Sequence, residues 1–155
     1  MKIFYWSPFI SKIATISSTI RSAESILKYS KKENNINLAI IDAIGEWKNY
    51  KKIIDPKIEI INLYKKNIFQ YLPKGSFFKS RFSYVLIFIL TFFKLFNLIS
   101  KEKPEYIIAH LLTSIPILLT LVIKNKTKII LRISGLPKLN FIRYTFWKLF
   151  SKKNL

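Results

Sequence analysis

The feature that most constrains this chain is an alternation of short β-rich apolar runs with longer segments of helical spacing. Lys2-Ile3-Phe4-Tyr5-Trp6 is the first run, stopped by Ser7-Pro8. Residues 15–29 then switch period: Ile16, Ile20, Ala23, Ile26 and Leu27 recur at threes and fours, while Arg21, Glu24 and Lys28 lie off that face. Ile36-Asn37-Leu38-Ala39-Ile40-Ile41 is a second run, ending at Asp42, and residues 57–63 are a third. Between them, residues 44–56 have no clear period and read as a loop with one helical turn. Residues 77–100 predict a long apolar helix stopped by Lys101-Glu102-Lys103-Pro104, because proline cannot continue a helix and biases its predecessor to extended geometry. Glu105-Tyr106-Ile107-Ile108-Ala109-His110 is a fourth strand, followed by a helix over residues 114–123 with Pro116 in its first turn. Residues 128–133 are a fifth strand, and residues 141–150 an amphipathic helix. Strands alternating with helices make βαβ units, hence an α/β fold with an open parallel sheet covered on both faces. The expected order of the five strands is 3-2-1-4-5.

At 155 residues the chain predicts one domain with a real core, and 50% hydrophobic residues with 15% aromatics exclude a disordered chain. Cysteine is absent, which removes a disulfide framework, cysteine-ligated metal and a thiol nucleophile, and fits a reducing compartment. The single histidine, His110, removes most zinc sites and leaves a Ser-His-Asp arrangement one possible centre. The net charge of +19 implies attraction to phosphate on nucleic acid, lipid or substrate. The basic residues are nearly all lysine, alongside abundant Ile, Asn and Phe, so compositional bias accounts for part of that charge. A nucleic-acid reader would cluster Arg with Gly and aromatics, and no such motif occurs, so no nucleic-acid partner is expected. Ile3-Phe4-Tyr5-Trp6 is too short for the apolar core of a secretory signal.

Two stretches approach the hydropathy of spanning helices, which need about 20 apolar residues. Residues 84–99 carry Lys94 and Asn97; residues 106–123 carry His110, Thr113, Ser114 and Pro116. The second divides better into strand plus helix, although a small two-span membrane protein stands as an alternative reading. The long helix is either a core element or lies against a bilayer, with Lys79, Arg81, Phe82 and Lys94 meeting lipid.

In open parallel sheets, ligands bind outside the carboxyl ends of the strands. That rule selects residues 7–15, 42–47, 110–114 and 134–138, with Ser7, Lys12, Thr15, Asp42, His110, Ser134 and Gly135 as candidate substrate-binding residues. His110 reads either as a neutral core histidine or as a hydrogen-bonding or proton-transferring group near neutrality. Ser134-Gly135 is a tight turn or a place where Gly135 permits close backbone approach to a ligand. Arg132 requires either the sheet edge or an anion. Asp42 and Glu46 form a carboxylate pair or are solvated loop charges. GxGxxG, P-loop, HExxH and GxSxG motifs are absent, so the residues alone identify no reaction and no metal set.

The opening Met1-Lys2-Ile3-Phe4-Tyr5-Trp6-Ser7-Pro8, the segment Lys103-Pro104-Glu105-Tyr106-Ile107-Ile108-Ala109-His110 and the strand end Ile129-Ile130-Leu131-Arg132-Ile133-Ser134-Gly135-Leu136 carry a resemblance. Together they are similar to the Rossmann-like N-terminal half of GT-B glycosyltransferases of family 4. Ser11-Lys12-Ile13-Ala14 stands where the family has paired glycines, and Ser134 where it has a sugar-contacting histidine. The resemblance implies a retaining enzyme moving a sugar from a nucleotide-sugar donor to a cell-envelope acceptor of lipid-linked or lipopolysaccharide type. It implies that residues 1–155 are an incomplete acceptor-side domain, inactive alone, with the donor domain elsewhere, a separately encoded partner being one form of this. No cofactor or metal is expected in the chain itself. The expected place is the cytoplasm, peripheral on the inner face of the cytoplasmic membrane. A non-catalytic basic α/β module, binding an anionic membrane or a partner subunit, is the alternative.

Overall fold

The computed structural model describes residues 1–30, 35–123 and 126–132, together with 141, 144, 145 and 148. Five strands, β1 (Lys2–Trp6), β2 (Asn37–Asp42), β3 (Glu59–Asn62), β4 (Tyr106–Ala109) and β5 (Lys128–Leu131), form one sheet in the order β3-β2-β1-β4-β5. Every pairing is parallel, with Tyr5 beside Ile40 on one side and beside Ile108 on the other. The expected fold class and strand order are therefore present. The central strand β1 and its neighbour β2 are buried nearly throughout, which is why both read as unbroken apolar runs. The edge strands β3 and β5 are shorter and partly exposed.

Side chains alternate across the sheet and build two half-cores. Ile3, Tyr5, Leu38 and Ile40 face helix α1 (Ala14–Tyr29), which covers them with Ile16, Ile20 and Ala23. Phe4, Trp6, Ala39, Ile41, Ile107 and Ala109 face the other way, onto α2 (Phe77–Glu102) and α3 (Ser114–Val122). Each large apolar side chain so buried stabilises the fold by about 1.5–3 kcal/mol relative to exposure.

Helix α2 starts at Ser76, whose hydroxyl accepts from Lys79 N at 3.3 Å, and stops at Lys103, in the left-handed region at φ 44° just before Pro104. Its buried stripe is Ser83, Ile87, Thr91, Leu95 and Ile99, one residue in four. The two small polar members are satisfied locally, Ser83 by Pro73 O at 2.6 Å and Thr91 by Ile87 O at 2.7 Å. The outward side carries Phe78, Phe82, Val85, Ile89 and Phe93, from 54% exposed at Val85 to 82% at Phe78.

Residues 106–123 divide into β4 and α3, both too short to span a bilayer, whereas α2 is long and apolar enough by length and composition. The expected loop over residues 44–56 contains a 3-10 helix, Lys48–Ile53. Ser134 and Gly135 lie outside the described residues, as does much of the expected last helix. Of that helix, Phe141, Tyr144, Thr145 and Lys148 are helical.

Candidate functional site

The carboxyl ends of β1 and β4 meet α1 in a buried polar cluster. Ser7 follows β1, His110 follows β4, and Thr19 projects from the covering face of α1; all three are more than nine-tenths buried. Thr19 Oγ1 donates to Thr15 O at 2.8 Å, and lies 3.2 Å from Ser7 Oγ and 3.1 Å from His110 Nδ1. A threonine hydroxyl has one proton, and Thr15 O and Ser7 Oγ are the two acceptors that compete for it. With its proton committed to Thr15 O or Ser7 Oγ, the oxygen is left to accept from His110, which assigns the ring proton to Nδ1 on the logic of the network. His110 Nε2 is consequently a bare acceptor, and it is buried with no partner among the described residues.

Burial, followed by the nearby positive charge of Arg132, lowers the His110 pKa to about 4. The ring is neutral at physiological pH, so Nε2 offers a lone pair to a hydroxyl and is too weak a base to carry that proton away. Tyr5 packs edge-on to the imidazole at 5.9 Å between centroids, and its hydroxyl meets Ser22 Oγ at 2.9 Å. Burial raises the Tyr5 pKa, so this phenol also stays neutral. The turn after His110 holds Leu112 at φ 46°, a left-handed conformation costly for a leucine, and Leu112 O accepts from Trp6 Nε1 at 3.3 Å. Arg132 is exposed just past β5, the edge position its charge requires. With Arg21 and the α1 serines it borders an open depression of about 530 Å3.

The end of β2 is a separate arrangement, two strands from β4 and so roughly 10 Å away. Asp42 and Glu46 are each 2% exposed, so this pair is interior and not a set of solvated loop charges. Asp42 Oδ1 accepts from Gly45 N at 2.6 Å, while the Glu46 oxygens accept from Ala43 N at 3.1 Å and Ile44 N at 2.8 Å. Burial, then the hydrogen bond and charge of Asp42, push the Glu46 carboxyl well above the ordinary range. The pair shares a proton and clamps the turn. Gly45 is at φ 99°, and a Cβ there would sit 2.8 Å from Asn67 Oδ1, so the clamp also requires glycine.

Of the residues read from the sequence, Ser7, Thr15 and His110 come together, Thr15 through its carbonyl. Asp42 belongs to the β2 turn, and Lys12 is exposed on the approach to α1. Lys79, Arg81 and Phe82 share the exposed start of α2, with Arg81 over the Phe77 ring at 4.2 Å. Lys94 is further along, held over the Tyr64 ring at 4.5 Å. Sequence reasoning missed Thr19, although a polar residue inside the Ile16-Ile20-Ala23 stripe was the available signal. No family model matches this chain, and no curated protein or solved structure matches it.

Proposed function

We propose that this domain holds the hydroxyl of a cell-envelope acceptor against the ends of β1 and β4 for sugar transfer at an anionic membrane surface. The observation that carries the reading is His110 Nε2: a buried acceptor with no partner among the described residues, at the carboxyl end of a strand next to the sheet centre. An unsatisfied buried group costs about 1–3 kcal/mol, and a ligand hydroxyl removes that cost. Thr19 fixes the ring, Ser7 supports Thr19, and the depression bordered by Arg21 and Arg132 leaves room for the rest of a polar acceptor. A nucleotide sugar is the donor in this reading, bound by a further domain. The apolar outward stripe of α2 and the net charge of +19 support docking on the inner face of the cytoplasmic membrane. The same stripe favours a second reading, a basic α/β module that binds membrane without catalysis.

The test is a titration of the purified chain with a short-chain polyprenyl-diphosphate-linked saccharide, read at the His110 ring nitrogens by NMR. A shift at Nε2, with at least tenfold weaker binding in His110→Ala, is expected. Binding unchanged in His110→Ala favours the membrane module, and sugar transfer by these 155 residues alone contradicts the division of labour.

A further inference from the structure

The carboxyl ends of β2 and β3 border a cavity of about 470 Å3, separate from the His110 cluster. Asp42 and Asn62, register partners on the two strands, form one wall. Lys48 and Lys51 from the 3-10 helix and Lys65 and Lys66 from the segment after β3 surround it. Among the described residues the ion pairs are those of the Met1 ammonium with Glu105 and Lys2 with Glu102, so none of these four lysines has a carboxylate partner. Asp42 is the acid on the wall, and its carboxyl is already engaged by Gly45 N–H and by Glu46.

Trp47 also lines the cavity and is 0% exposed, yet its indole Nε1–H has no acceptor among the described residues. Packing against Phe9 and Tyr50 accounts for burying the ring and leaves the N–H unexplained. Asn67 Oδ1 is a further buried atom without a partner among the described residues, and turning that amide end for end presents a donor. Four unpaired ammonium groups and an unused buried donor around one cavity make a site for a compact, multiply charged anion. The volume lies within the usual range for small-ligand pockets.

We infer that this cavity binds a phosphate or diphosphate group, with the lysines supplying charge and Trp47 Nε1–H supplying direction. The inference does not require sugar transfer. Two sources share this chemistry, a soluble phosphorylated compound and a lipid headgroup. Tyr64, on the cavity wall, donates to Leu90 O of α2 at 2.7 Å, so the site adjoins the helix with the apolar outward stripe.

The experiment follows the Trp47 indole N–H resonance of the full chain, assigned with Trp47→Phe. Sodium pyrophosphate is titrated in one arm. In the other, phosphatidylcholine vesicles are added with and without phosphatidic acid. Pyrophosphate at constant ionic strength is expected to shift the Trp47 resonance while leaving that of Trp6, which is bonded to Leu112 O, in place. Lys51→Ala with Lys66→Ala should weaken the effect at least tenfold; both residues are exposed, so the fold is retained. Lys52→Ala with Lys57→Ala, exposed lysines away from the cavity, should not. A response to pyrophosphate alone assigns a soluble source, and one also elicited by phosphatidic acid but not by phosphatidylcholine assigns a headgroup. A Trp47 resonance unmoved in both arms overturns the site, as does equal weakening by the two lysine pairs.

Discussion

His110 and Glu46 are buried ionisable groups that the fold holds neutral, one by lowering a base and the other by raising an acid. The consequences for stability have opposite sign. His110 falls from 6.5 unfolded to about 4 folded, so its contribution is present above pH 6.5 and is lost as pH falls toward 4. Glu46 rises from 4.5, so its contribution is present below pH 4.5 and is lost as pH climbs. Between pH 4.5 and 6.5 the two dependences therefore run in opposite directions. Glu46→Gln should therefore unmask a stability that rises with pH in this window, and His110→Gln one that falls, both read by denaturant unfolding. A slope unchanged in either variant contradicts the assigned protonation states. Ser7 and His110 were legible as strand ends. Thr19 was not, because a threonine inside an apolar stripe is silent until a partner from another element, 91 residues away, meets it. Nor was the burial of Asp42 and Glu46, which depends on backbone N–H groups that the turn itself aims at them.

At the scale of elements, α2 shows where hydropathy stops informing. Its existence and ends were plain from length, Pro104 and composition, but its buried side was not. The helix is apolar nearly all round, and the stripe turned inward includes Ser83 and Thr91 while phenylalanines face out. Small side chains there bring the helix close to its neighbours, an advantage that no count of apolar residues records. The outward stripe predicts vesicle binding. Co-sedimentation with anionic vesicles should drop at least tenfold in Val85→Asp with Ile89→Asp, since two exposed apolar contacts are lost and charge is introduced. Carbonate or high salt should release the wild-type chain. Release by detergent alone excludes a peripheral helix.

Over the whole molecule, 27 basic residues against 8 acidic ones leave like charges that the described ion pairs barely offset. Raising sodium chloride from 10 mM to 200 mM contracts the screening length from about 30 Å to below 10 Å, so the melting temperature should rise by a few degrees. A flat or falling melting curve midpoint argues against dominant self-repulsion. The strand order was legible because successive βαβ units admit few arrangements, and the alternation supplied all five strands. The same order bears on synthesis. Strand β1 lies between β2 and β4, and its pairing partner in β4 comes about a hundred residues later in the chain: Ile3 beside Tyr106. A nascent chain can pair β1, β2 and β3 early, but one flank of β1 stays open until translation passes His110. The polar cluster at Thr19 thus closes only after His110 has been made, and chaperones that shield apolar edges have most to protect during that interval.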